Sequence, residues 1–65
     1  MYTVISEFRA GKYAVLELDR EIEERSYTGF QIDEQKYRAV PVYDLPGHIA
    51  IEADGSFQGK TVTCI

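Results

Sequence analysis

Cysteine occurs once among 65 residues, at Cys64, so neither an intramolecular disulfide framework nor a thiolate cage for structural zinc can form. Tryptophan is absent and His48 is the sole imidazole. No apolar run approaches the ~20 residues that a membrane-crossing helix needs. Met1–Lys12 has neither the charged start nor the long apolar core of an export signal, so the expected location is cytoplasmic. Basic residues form no run either. Arg9, Lys12, Arg20, Arg25, Lys36, Arg38 and Lys60 are dispersed against eleven acids, for a net charge of −4. Nucleic acids and anionic membranes both select clustered cations, so this balance disfavours them as partners.

The same scarcity thins out catalysis. Cys64 and His48 permit one thiol–imidazole pair, with Asp44 or Glu52 to orient the ring. Yet Cys64 lies between Thr63 and Ile65 at the end of a strand-like segment, with no basic cluster to lower its pKa. It reads as a small buried hydrophobe. Glu21, Glu23 and Glu24 are interrupted by Ile22 and followed by Arg25, which is the pattern of a solvated loop and not of a metal cage. Gly59-Lys60-Thr61 echoes a phosphate loop, but Gly55 stands four positions before Gly59 where five are required, and a strand follows where a helix is needed. Paired carboxylates acting on a substrate need an enclosing pocket, and a chain this short uses its interior as its own core. The reading is a non-enzyme with no metal and no cofactor.

What is present is a folding composition, 45% hydrophobic, 28% charged and 12% aromatic. It fits a single domain over 1–65. The dominant signal is two-residue alternation between short turns. Strands are expected at Thr3–Arg9, Tyr13–Asp19, Tyr27–Ile32, Lys36–Asp44, Ile49–Ala53 and Lys60–Ile65. Ala10-Gly11-Lys12 reads as a tight reversal, Asp33-Glu34-Gln35 as a turn, and Leu45-Pro46-Gly47-His48 as a type II turn. Asp54-Gly55 is a hairpin signal, and Gly59 marks a bend. Asp19–Ser26, whose one apolar anchor is Ile22, reads as an exposed loop with room for a helical turn at most. Pro41 cannot donate a ladder hydrogen bond, which places its strand at an edge or gives it a bulge. The fold class is all-β, a five- or six-stranded small barrel or half-open roll resembling the SH3-like and OB-like types.

Ile49–Val62, with its alternating strand and Gly55-Ser56-Phe57-Gln58-Gly59 turn, resembles part of a KOW motif. That resemblance implies strand–turn–strand geometry within an SH3-like barrel, and contact with RNA, ribosomes or the transcription machinery. The residues themselves point elsewhere. If Leu16/Leu18, Phe30/Ile32 and Val40/Val42 face inward, parity turns Tyr13, Tyr27, Tyr37 and Tyr43 outward. Flanked by Arg38 and the Glu17–Arg25 loop, these rings form a candidate recognition patch, since tyrosine offers amphipathic contact area at low entropic cost. The expected function is binding of another protein or a second copy (a homodimer) through this patch and an edge strand, either Lys36–Asp44 or the terminal Lys60–Ile65. The alternative is a nucleic-acid module with Tyr27, Phe30, Tyr37 or Tyr43 for stacking and Lys36, Arg38 and Lys60 on phosphates.

Overall fold

The computed structural model describes residues 1–40, 42 and 44–65. Among them the chain forms six strands and no helix: β1 (Tyr2–Ala10), β2 (Tyr13–Leu18), β3 (Gly29–Ile32), β4 (Gln35–Arg38), β5 (His48–Glu52) and β6 (Thr61–Cys64). They make one antiparallel sheet in the order β4-β3-β6-β1-β2-β5. The fold is therefore all-β. The sheet is not closed: β4 and β5 are its two edges, which places the terminal strand, expected as an alternative edge, in the interior between β3 and β1. Among the described residues one bridge just past β4 spans the edges, with the Val40 N–H donating to the Ala50 carbonyl at 3.2 Å. Two sequence expectations, the edge or bulge at Pro41 and the outward ring of Tyr43, lie outside the described residues.

Turn length decides which side chains are inside. Both tight hairpins use two-residue loops, pairing Ala10 with Tyr13 and Ile32 with Gln35. Gly11 supplies the positive φ (62°) in the first. Asp33 (51°) and Glu34 (67°) occupy the left-handed region in the second, unusual for side-chain-bearing residues and unfavourable for Glu34. A two-residue loop makes even positions of one strand share a face with odd positions of the next. Even-numbered Phe30 and Ile32 are thus inside on β3, but odd-numbered Tyr37 and Ala39 pack against the core from β4 and beyond. The parity that turned Tyr37 outward and Val40 and Val42 inward is corrected accordingly: Tyr37 faces in, and both valines are half-buried outside the core cluster.

The core comprises Tyr2, Val4, Ala14, Leu16, Leu18, Phe30, Ile32, Ile49, Ile51, Phe57 and Val62. On β1 a bulge at Ile5, between the Val4–Leu18 and Ser6–Glu17 pairs, reverses parity within one strand. Tyr2 and Val4 point in before it, whereas Phe8 lies half-exposed after it. Phe8 pairs with Val15, Val15 with Ala50 and Ala50 with Val40, giving a continuous apolar row on the opposite face of the sheet from the core.

Asp54-Gly55 does not make a hairpin. The strands flanking it, β5 and β6, sit apart in the sheet with β1 and β2 between them, so residues 53–60 form a crossing loop. Phe57 plugs that loop into the core. Glu7 fastens it, accepting hydrogen bonds from Ser56 Oγ (2.7 Å) and the amides of Phe57 (2.9 Å) and Gln58 (3.1 Å). Residues 19–28 form a loop without a helical turn, packed through Ile22 as expected. Tyr2 ties this loop down: its hydroxyl donates to Glu24 and accepts from the Glu23 amide (2.9 Å), while the Arg20 guanidinium lies 4.5 Å from its ring centroid. The Glu23 amide alone lowers the phenol pKa, but the Glu24 carboxylate and burial outweigh it and raise the phenol above its ordinary value.

Candidate functional site

The seam between the two edge strands is where backbone groups are left over. The Ala39 amide donates to the Thr28 carbonyl (3.2 Å), extending the β3–β4 ladder. In an antiparallel pair the bonding direction alternates residue by residue. Tyr37 and Ala39 therefore spend their amides on β3, while Lys36 and Arg38 aim their N–H and C=O groups at the seam. Val40, next in that alternation, closes it with its bond to Ala50. Beyond this bridge the seam opens into a cleft of about 330 Å³ lined by Tyr13, Lys36, Tyr37, Arg38, Val40 and Glu52.

Each wall follows from the register. Tyr13 and Glu52 are direct cross-strand partners on β2 and β5. Lys36 and Arg38 flank Tyr37 on β4 and project from the opposite face to it. Tyr37 is held by the core and meets Phe57 edge to face, with ring centroids 5.9 Å apart and planes at 86°. Lys12 bridges to Glu52 at 2.9 Å and lies 5.5 Å from the Tyr13 ring centroid. The Glu52 carboxylate beside it, aided by Tyr13, holds the Lys12 ammonium above its usual pKa.

The cations divide into two sets. Among the described residues Arg9, Lys12, Arg20 and Lys60 have carboxylate partners: Asp54, Glu52, Asp19 and Asp33. Arg25, Lys36 and Arg38 have none within the same reach, and two of these three line the cleft. On a protein of net charge −4, two of the three cations without a partner thus lie side by side on one sheet edge, while Arg25 sits in the 19–28 loop.

Of the residues singled out from sequence, Tyr13, Tyr37 and Arg38 come together in this cleft. Tyr27 does not. It precedes β3, tilts against Phe30 at 5.3 Å and lines a separate hollow of about 460 Å³ with Arg25, Ala39 and His48. Glu52 and Val40 join the site through pairing between strands distant in sequence, which no local pattern reveals. Of the three phosphate-binding candidates of the nucleic-acid reading, Lys36 and Arg38 line the cleft, while Lys60 is paired with Asp33. Cys64 and His48 sit on β6 and β5, with β1 and β2 between them. Burial, with the Glu24 carboxylate nearby, raises the thiol pKa, and His48 Nδ1 lies 2.9 Å from the Pro46 carbonyl.

Compared with known proteins, the chain matches no family model, no curated protein and no solved structure.

Proposed function

We propose that the chain is a non-catalytic binding module, a half-open roll of the SH3-like or OB-like kind, that takes up an extended segment of another polypeptide or of a second copy along β4. One observation carries this reading: β4 is an edge strand whose Lys36 and Arg38 backbone groups face an open cleft. Unpaired edges of this sort template strand addition, in which main-chain bonds supply affinity and side-chain pockets supply selectivity. Tyr13 and Tyr37 give the cleft aromatic walls of the kind enriched at protein interfaces. At about 330 Å³ the cleft matches the low end of ligand-sized hollows, room for a few side chains of a strand. The nucleic-acid alternative ranks below it, because Lys60 is engaged elsewhere and Glu52 shares the cleft.

Lys36→Pro tests the reading. Its amide makes no bond to β3, so proline removes the donor offered to a partner and leaves the ladder intact, and Lys36→Ala, which keeps the amide, is the control for loss of the ammonium. Peptides enriched from a random displayed library on the wild-type protein are expected to bind the variant at least about tenfold more weakly, a loss of roughly 1.4 kcal/mol. The melting temperature should move by only a few degrees. Enriched peptides that bind both proteins equally, or a library that yields none, would remove the reading.

A further inference from the structure

We infer that the segment captured on β4 is an acidic strand from another protein, with carboxylates at alternate positions meeting Lys36 and Arg38. The inference rests on the strand-capture reading above and adds the chemistry of the partner. Lys36 and Arg38 are two residues apart on one strand, so both project from the same face and line the same cleft. An added strand places its own alternate side chains directly opposite them, where opposite charges stabilise and like charges destabilise. Neither cation has a carboxylate within ion-pair reach among the described residues, although the chain carries eleven acids.

The same charges argue against a second copy as the occupant. Pairing β4 with β4 of another copy would set Lys36 and Arg38 against Lys36 and Arg38. The other edge, β5, is engaged: its Ala50 carbonyl accepts from Val40, and its Glu52 carboxylate is held by Lys12. Positive side chains on an edge strand are a known device against self-pairing. Here they both exclude the chain's own edge and select an anionic one. The residue between the two carboxylates turns to the opposite face, beside Tyr37, which suits an apolar side chain there.

Three synthetic octapeptides, alternating valine with glutamate, serine or lysine, separate the possibilities by fluorescence anisotropy at low salt. The glutamate peptide should bind about tenfold more tightly than the serine peptide, the size that two exposed charge pairs supply. The gap should narrow as ionic strength rises from about 0.05 to about 0.5 M. In the Lys36→Glu/Arg38→Glu protein the preference should invert toward the lysine peptide, which also shows that the variant is folded. Glutamate and serine peptides binding equally would overturn the acidic selectivity and leave strand capture standing. If no peptide binds, both fall. A preference for glutamate that survives the double reversal would place the acidic contact elsewhere, and concentration-dependent self-association of the wild type abolished by the reversal would assign the edge to a second copy.

Discussion

Gly29→Ala is expected to cost about 3 kcal/mol, the upper part of the range for forcing atoms into a packed site, and to lower the melting temperature by roughly 12–24 °C. Gly29 opens β3, paired with Arg38, and it is buried. A Cβ there would lie far inside contact distance of the Tyr37 carbonyl oxygen, 3.3 Å from its carbon and 3.6 Å from Arg38 Cα. These are backbone atoms of the neighbouring strand, so no side chain can swing aside. The clash can be relieved only by parting β3 from β4. A chain of this length rarely has more than about 3–5 kcal/mol of stability in total, so the variant should be substantially unfolded near 37 °C. Gly11→Ala is the contrasting substitution. Its φ of 62° strains alanine, but nothing lies within 4 Å, and a loss of about 1 kcal/mol is expected. Thermal melts of the two variants followed by circular dichroism check the ordering.

Phe57→Ala should be comparably severe, about 3 kcal/mol, at the low end for a buried phenylalanine because a loop can partly collapse into the space. The ring is 5% exposed and is the only side chain of the 53–60 crossing loop in the buried core cluster. Its loss also takes away the edge-on partner of Tyr37, loosening one wall of the cleft. Glu7→Gln acts on the same loop from outside. Ser56 and the Phe57 and Gln58 amides hold the Glu7 carboxyl below its ordinary 4.5, against an opposing push from burial. A carboxyl depressed in the folded state contributes stability that is complete above its unfolded pKa and is lost as pH falls through the folded value. Wild-type stability should therefore decline below about pH 4.5, and Glu7→Gln should flatten part of that slope. Equal acid sensitivity of the two proteins by urea titration would remove the role given to Glu7.

These positions mark what the amino-acid pattern made legible. Alternation located six strands, and Gly11 and Pro46-Gly47 signalled real reversals: the Gly47 φ is 73° and His48 donates back to Leu45 at 3.2 Å. The core residues Leu16, Leu18, Phe30 and Ile32 were evident for the same reason. The inward face of β4 was not. Reading Asp33-Glu34-Gln35 as a three-residue turn keeps parity between strands, and the two-residue loop inverts it. Glu34 in the left-handed region gives no advertisement of that loop, because the usual signal is glycine or asparagine. The Ile5 bulge is equally silent. Asp54-Gly55 misled in the opposite way. Its glycine does take a positive φ (95°), but local turn chemistry cannot say that β5 belongs beside β2 while β6 belongs between β3 and β1. The cleft depends on these non-local pairings. Tyr13 and Arg38 were therefore visible as candidates, whereas their meeting with Glu52 across the seam was not.

An open seam has a direct spectroscopic signature. Amide hydrogen exchange by NMR, on dilute protein at neutral pH, reports which β4 amides are bonded. The account predicts slow exchange at Tyr37 and Ala39, whose amides face β3, with slowing at Val40 through its Ala50 bond. It predicts fast exchange at Lys36 and Arg38, and protection of these two when a captured strand is added. Slow exchange at Lys36 and Arg38 in the free monomer would mean that β4 and β5 are already zipped together, and would contradict the account.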